Sequence, residues 1–188
     1  MRNTVDRTEA LTAIKARVQN ESLIKHMLAT EAIMRALARR LQQNEDEWGL
    51  TGLIHDIDVE LTQNEPQNHS RLGADLARQM GASEPMCHAV LCHNEIHGVP
   101  CETLLDEALF CTDPLTGLIT AGALIRQEKS LAGLNTESLK KRFKEKRFAA
   151  GASRENIASC DRIGLSLDEF LTLGLDAMKG IATELGLQ

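Results

Sequence analysis

Apolar residues recur at three- and four-residue spacing along almost the whole chain, and the alternation expected of strands is absent. This pattern predicts an all-α fold. Residues 6–18 form a first short amphipathic segment. Residues 22–42, SLIKHMLATEAIMRALARRLQ, hold no Gly or Pro and predict a long helix. A third helix runs from about Glu45 to Val59, and a fourth from about Asn68 to Met80, closed by Gly81. The fifth opens at Ser83, an N-cap followed by Glu84 and Pro85, and reaches His93. After the loop HGVPCE a longer helical stretch covers about 103–127. A basic helix follows at 136–148, capped by Asn135 or Thr136. Two last helices start near Ser153 and Ser166, the second with a capping box of Ser166 and Glu169.

A chain of 188 residues suits one domain, or one domain with an appended helical piece. The stretch SLAGLN at 130–135 is the only seam, dividing residues 1–130 from a C-terminal helical extension, 131–188, packed on them as one globular unit. All six histidines precede that seam. Aromatic residues are 3% of the chain, so the core must be built from Leu, Ile, Ala and Met, and few rings are left for a base to stack on. The formal charge of −6 argues against nucleic acid as a partner. Five cysteines, an odd number without CxxC spacing, fit reduced thiols. The N-terminal stretch MRNTVDRTEALTAIKARV lacks the apolar core of a leader, and no run is long enough for a membrane span. The expectation is a cytoplasmic protein with no membrane partner, with a homodimer left open.

The clustering of histidines points to a site. His26 shares a helical stripe with Ala29, Ile33 and Leu37 and faces the interior, either as a core histidine bonded to a carbonyl or as a ligand. His55 and Asp56 lie late in the third helix, about 100° apart around it, and reach one point only if it lies off the edge between their stripes. A helix C-terminal role is the alternative for the pair. Asp113 precedes Pro114, which reads as an N-cap with Pro at N1 or as an acid at a break inside a continuous core helix. Together the four supply mixed nitrogen and oxygen donors that suit Mn, Fe, Ni, Zn or Mg.

The order of a histidine, a His-Asp pair and a distant aspartate resembles the HD superfamily of metal-dependent phosphohydrolases. LIKHMLATEAIMRALAR is similar to the first motif helix of that family, TGLIHDID to its HD helix, and LFCTDPLTG to its last ligand segment. HSRLGADLARQMGA followed by AVLCHNEIHG resembles the two-histidine insert of binuclear members. The resemblance implies an HD-domain helical bundle with extra C-terminal helices. It also implies a first divalent metal on His26, His55, Asp56 and Asp113, and a second bridged by Asp56 and held by His69 and His93. Two features depart from the family: HDIDVE lacks the lysine often found after the pair, and HNEIHGVP lacks the paired histidines and GYP loop of the cyclic-di-nucleotide branch.

The function this implies is hydrolysis of a phosphoester or phosphoanhydride in a small nucleotide-like substrate by metal-activated water, with one or two Fe, Mn, Zn, Ni or Mg ions. Asp56, His93 and Glu95 are the catalytic candidates, and His88, Glu95 and His97 remain open as the general acid. His88 and His93 diverge by about 140° on a helix, which leaves His93 for the metal and His88 for packing or support. For the missing lysine the candidates are Arg126 and, on the basic helix, Lys140 and Lys144, although a solvated basic face explains that helix equally. Two other classes stay open. One is a di-iron oxygenase on the same fold, and the other a non-catalytic metal-binding module for signalling or partner binding.

Overall fold

Most helices here begin at a side chain that accepts a hydrogen bond from the backbone two or three residues on, which satisfies one of the orphan N–H groups of the first turn. Asp6 caps α1 (Arg7–Lys15), Asn20 caps α2 (Glu21–Leu41), and Asn44 caps α3 (Glu45–Ile54). After α4 (Arg71–Gln79), Ser83 caps α5 (Glu84–Cys92), and a capping box of Thr103 and Asp106 opens α6 (Leu104–Leu124). Asn135 caps α7 (Thr136–Lys144) and Ser153 caps α8 (Arg154–Ala158). The expected box of Ser166 and Glu169 opens α9 (Leu167–Gly180), and a last turn, α10 (Ala182–Leu185), closes the chain. This computed structural model describes residues 5–188, so the first four residues of the stretch searched for a leader lie outside the described residues. Among the described residues there is no strand, and no helix is long and apolar enough to cross a membrane.

Four elements depart from the periodicity. The third helix ends at Ile54 instead of Val59, and residues 55–64 continue in tighter turns, with Ile57 and Val59 N–H bonded to carbonyls three residues back. The fourth helix starts at Arg71, not Asn68, after a short 3-10 turn and a Ser70 held at φ 71°. Helix α6 runs unbroken through Pro114, so Asp113 is not a cap. It sits mid-helix, and the Phe110 carbonyl loses the N–H that a non-proline residue would have donated. The basic helix stops at Lys144 because the guanidinium of Arg154 takes the carbonyls of Phe143 (3.0 Å), Ala149 (3.1 Å) and Ala152 (2.6 Å), folding the segment after it into turns.

The core is continuous from α2 to α9. Ile33, Met34 and Leu37 of α2, Leu53 and Ile54 of α3, Leu115, Leu118 and Ile119 of α6, and Phe170 and Met178 of α9 are all buried in one cluster. Gly174 lets α9 lie close over α6, since a Cβ there would sit 2.7 Å from Leu115 Cδ2. The backbone N–H of Leu131 bonds to the Leu187 carbonyl at 2.9 Å, tying the 130–135 stretch to the C-terminal residues.

The contact of α2 with α3 positions the site, and Gly52 sets its spacing. A Cβ at Gly52 would lie 3.0 Å from the carbonyl carbon and oxygen of Thr30 and 2.9 Å from Met34 Cγ. Alanine there gains helix propensity of about 1 kcal/mol, but pushing two helix backbones apart costs about 1–3 kcal/mol, and the second effect wins. Gly52→Ala is therefore expected to lower the thermal midpoint by several degrees. A midpoint equal to or above wild type in a thermal scan would contradict this packing.

Candidate metal centre

Three segments that are distant in sequence deliver the side chains. Helix α2 brings His26, the turn after α3 brings His55 and Asp56, and the middle of α6 brings Asp113. His26 Nε2 lies 3.0 Å from Asp113 Oδ1, 3.1 Å from His55 Nε2 and 3.5 Å from Asp56 Oδ2. His55 Nε2 lies 3.5 Å from Asp56 Oδ2 and 3.7 Å from Asp113 Oδ1. Donors bonded to one cation at about 2.1 Å stand about 3.0–3.5 Å apart, depending on coordination number. The printed separations of His26 Nε2 and of His55 Nε2 from these donors, 3.0–3.7 Å, are close to that spacing. His55 keeps helical backbone angles at the end of α3, and the common point lies off the edge between its stripe and that of Asp56.

The second oxygen of Asp56 faces the other way. Its Oδ1 lies 3.3 Å from His69 Nε2 and 3.6 Å from His93 Nε2. One carboxylate thus stands between two groups of imidazoles.

Each imidazole is oriented from behind. The Nδ1–H of His55 donates to the Gly52 carbonyl at 2.8 Å, and that of His93 to the Val90 carbonyl at 2.6 Å. The Thr116 hydroxyl donates to the Asp113 carbonyl at 2.8 Å, so its oxygen accepts from His26 Nδ1 at 2.7 Å. His69 Nδ1 donates to Asp58 Oδ1 at 3.0 Å. With Nδ1 turned to these partners in all four rings, every Nε2 is the atom turned to the carboxylates. Lone pairs and anions gathered this closely require positive charge between them, from protons or from a cation. The donor set fits a divalent metal.

The charges follow the same logic. Burial alone would raise the Asp56 carboxyl, but the imidazoles of His55, His69, His93 and His26 hold it well below the usual carboxylate range. Burial opposes, and His26 and His55 outweigh, the same rise at Asp113, which is also held low. Burial would lower His69, yet its bonds to Asp56 and Asp58 push it up to about 10. His93 is raised in the same way by Asp56 against its burial.

His55, Asp56 and His93 are buried, whereas the side chains of His26, His69 and Asp113 are 22%, 21% and 34% exposed. The exposed edge opens on a cleft of about 250 Å³ lined by His69, His93, Asn94, Glu95, Asp113, Gly151, Ser153 and Asn156. Glu95 stands on its rim, where Asn156 Nδ2 donates to its carboxylate at 3.2 Å.

The candidates for phosphate contact are not brought there. Arg126 lines a separate groove with Gly122, Leu134 and Lys141, beyond the C-terminal end of α6. Lys140 is paired with Asp168 of α9 at 2.7 Å. Lys144 is exposed at the end of α7 and is not among the cleft residues. The reason is that the apolar side of α7, Leu139, packs beside Gly122 and Leu134 and away from Asp113. His88 faces Asp106 at 3.0 Å, and His97 bonds the His69 carbonyl. Four contributors escaped the sequence reading: Asp58, Thr116, the α8 cap Ser153 and Asn156 of α8. A second acid two residues past the HD pair was the only signal for Asp58.

A family model described as HD domain matches residues 23–127, more than half of the chain. Ribonuclease Y of Syntrophobacter fumaroxidans is 31% identical over 97 residues, covering 52% of this chain and 18% of that protein. Ribonuclease Y of Thermotoga petrophila is 29% identical over 172 residues, 88% of this chain and 33% of the relative. Ribonuclease Y of Salinispora arenicola is 32% identical over 89 residues, 47% of this chain and 15% of the relative. The chain thus spans about a third or less of the length of these relatives. No solved structure matches it. These relatives are ribonucleases, and that overturns the exclusion of nucleic acid drawn from charge. A formal charge averages over the whole surface, whereas a polyanion meets only the groups around one cleft.

Proposed function

The chain belongs to the HD domain family, and from that premise we propose that it is a metal-dependent hydrolase of phosphodiester bonds with RNA as its class of substrate. His26, His55, Asp56 and Asp113 hold one divalent cation, and Asp56, His69 and His93 hold a second. The observation that carries this reading is the convergence of four bare Nε2 atoms on the carboxylates of Asp56 and Asp113, each ring anchored through Nδ1. Such cations, when bound, lower the pKa of water toward neutrality and offset charge on the phosphoryl oxygens.

The chain's own groups do the rest. His55 and His93, buried and pinned to carbonyls, fix the inner edge of the centre, while His26, His69 and Asp113 leave its outer edge open to the cleft. Asn94, Ser153 and Asn156 offer neutral donors to a phosphodiester lying there. Exposed Lys146 and Arg147 stand on the segment that leads to Gly151 in the cleft wall, where flanking phosphates of an RNA strand would pass. Glu95 on the rim is the group placed to carry a proton to the leaving oxygen. His93 is assigned to metal holding alone. The helices after residue 130 act as a cover on the histidine-bearing part, and α8 supplies one wall of the cleft.

The RNA assignment rests on the ribonuclease relatives, and the metal assignment on geometry, so one experiment separates them. Chelation followed by removal of the chelator is expected to lower cleavage of a labelled RNA oligonucleotide by about a hundredfold or more, with recovery on adding Mn, Fe, Zn or Mg. Equal rates before and after chelation would refute the metal reading. Metal-dependent hydrolysis of mononucleotides with intact RNA would refute the substrate class alone.

A further inference from the structure

The other histidine-bearing cluster shares no side chain with the first centre. His88 and Cys92 stand four residues apart on α5 and so share a face. Across from them lies the start of α6, with Asp106 in its first turn and Cys101 just before it. One donor atom each from His88, Cys92 and Asp106 lies within 4.8 Å of the others. Cys101 Sγ lies 3.6 Å from Cys92 Sγ, beside that group but not within 4.8 Å of all its donor atoms, so it joins as a fourth ligand only by turning its side chain inward. Zinc bonded to two thiolates at about 2.3 Å in a tetrahedron sets the sulfurs about 3.8 Å apart.

An independent observation concerns the carboxylate. Asp106 is fully buried. Its Oδ2 accepts from the backbone N–H of Glu102 and Thr103, both at 2.9 Å, and lies 3.0 Å from His88 Nδ1. Its Oδ1 is equally buried and has no hydrogen-bond partner. A buried anionic oxygen without a donor is costly, and a cation beside it removes that cost. Cysteine, histidine and aspartate in this arrangement are zinc ligands by chemistry.

We propose that His88, Cys92, Cys101 and Asp106 form a second, structural metal centre that binds one zinc ion. Its place in the fold says what it does. Cys92 ends α5 and Cys101 precedes α6, so the ion clamps both ends of the loop 93–101. That loop carries Asn94 and Glu95 along the catalytic cleft. The clamp holds the rim in register with His93, the neighbour of Cys92, without touching the reacting phosphate.

Sulfur separates the two centres experimentally, because the first set of ligands contains none. Protein purified under reducing conditions and loaded with cobalt(II) is expected to show an intense thiolate-to-cobalt band in the near ultraviolet. Cys101→Ser is expected to lose that band and about one zinc per chain while retaining metal at the first centre. Asp56→Asn is expected to keep the band. The wild-type spectrum needs no variant, so a folding defect in Cys101→Ser cannot mask the answer. Cobalt-loaded wild type without a sulfur band overturns the proposal. So does a Cys92–Cys101 disulfide in zinc-free protein isolated with reductant.

Discussion

Asp56→Ala is expected to keep its helices, lose both cations of the first centre and cleave RNA about a thousandfold more slowly or worse. The size of the effect follows from the two faces of this carboxylate. Oδ2 stands 3.5 Å from both His26 and His55, and Oδ1 stands 3.3 Å from His69 and 3.6 Å from His93. Alanine removes a donor from each group at once and leaves Asp113 beside His26 and His55 and Asp58 beside His69. His69 keeps Asp58 beside its Nδ1 at 3.0 Å, so that ring stays paired. The surrounding core of α2, α3, α6 and α9 is untouched. Elemental analysis, far-ultraviolet circular dichroism and initial rates on an RNA oligonucleotide check the three parts. Full metal content with an undiminished rate would end the hydrolase reading.

Asp58→Ala is expected to cost stability most. Asp58 is wholly buried, and its Oδ2 accepts from the backbone N–H of Ser70 (2.8 Å) and Gly73 (2.9 Å) while Oδ1 accepts from His69 Nδ1. Ser70 lies at φ 71° and gives α4 no side-chain cap, so this aspartate serves as the cap from a distance. Alanine leaves two backbone donors and a raised imidazole unpaired, at a cost of about 3–5 kcal/mol. A drop of about 10 °C in the thermal midpoint is the expected reading. Asp58→Asn separates capping from metal support. Its oxygen can still take the two backbone N–H groups, but its amide then points N–H at His69 Nδ1 and forces the ring into the other tautomer. Nε2 would carry the proton, and affinity at the second metal position should fall about 10–100-fold with much of the stability kept. Equal metal affinity in wild type and Asp58→Asn would remove Asp58 from the support of His69.

The cluster explains why charge misled the reading of partners. Carboxylates dominate the formal count, yet Asp56, Asp58 and Asp106 are buried and face imidazoles, backbone donors or the cysteine cluster. They do not repel a strand passing over the surface. Exposed Lys146 and Arg147 are basic groups on the segment that leads to the cleft wall.

Helices, caps and the order of ligands were legible because they are local. A three- to four-residue apolar period, an Asn or Ser before it and a Gly after it each act within a turn or two of chain. The resemblance of LIKHMLATEAIMRALAR, TGLIHDID and LFCTDPLTG likewise sits in short windows. Where α3 stops was not legible, because its end depends on Asp58 reaching Ser70 and Gly73 and on Gly52 closing against Thr30, contacts of long sequence separation. The same holds for α7, whose sequence reads as a solvated basic face with a place over the site as the alternative. Leu139 at Gly122 and Lys140 at Asp168 fix it elsewhere, and nothing within α7 encodes that choice. Local periodicity thus determined which residues could be helical and inward-facing. Only packing across α2, α3, α5 and α6 decided which of them stand within a few ångströms of one another, because convergence is a property of the distances between helices.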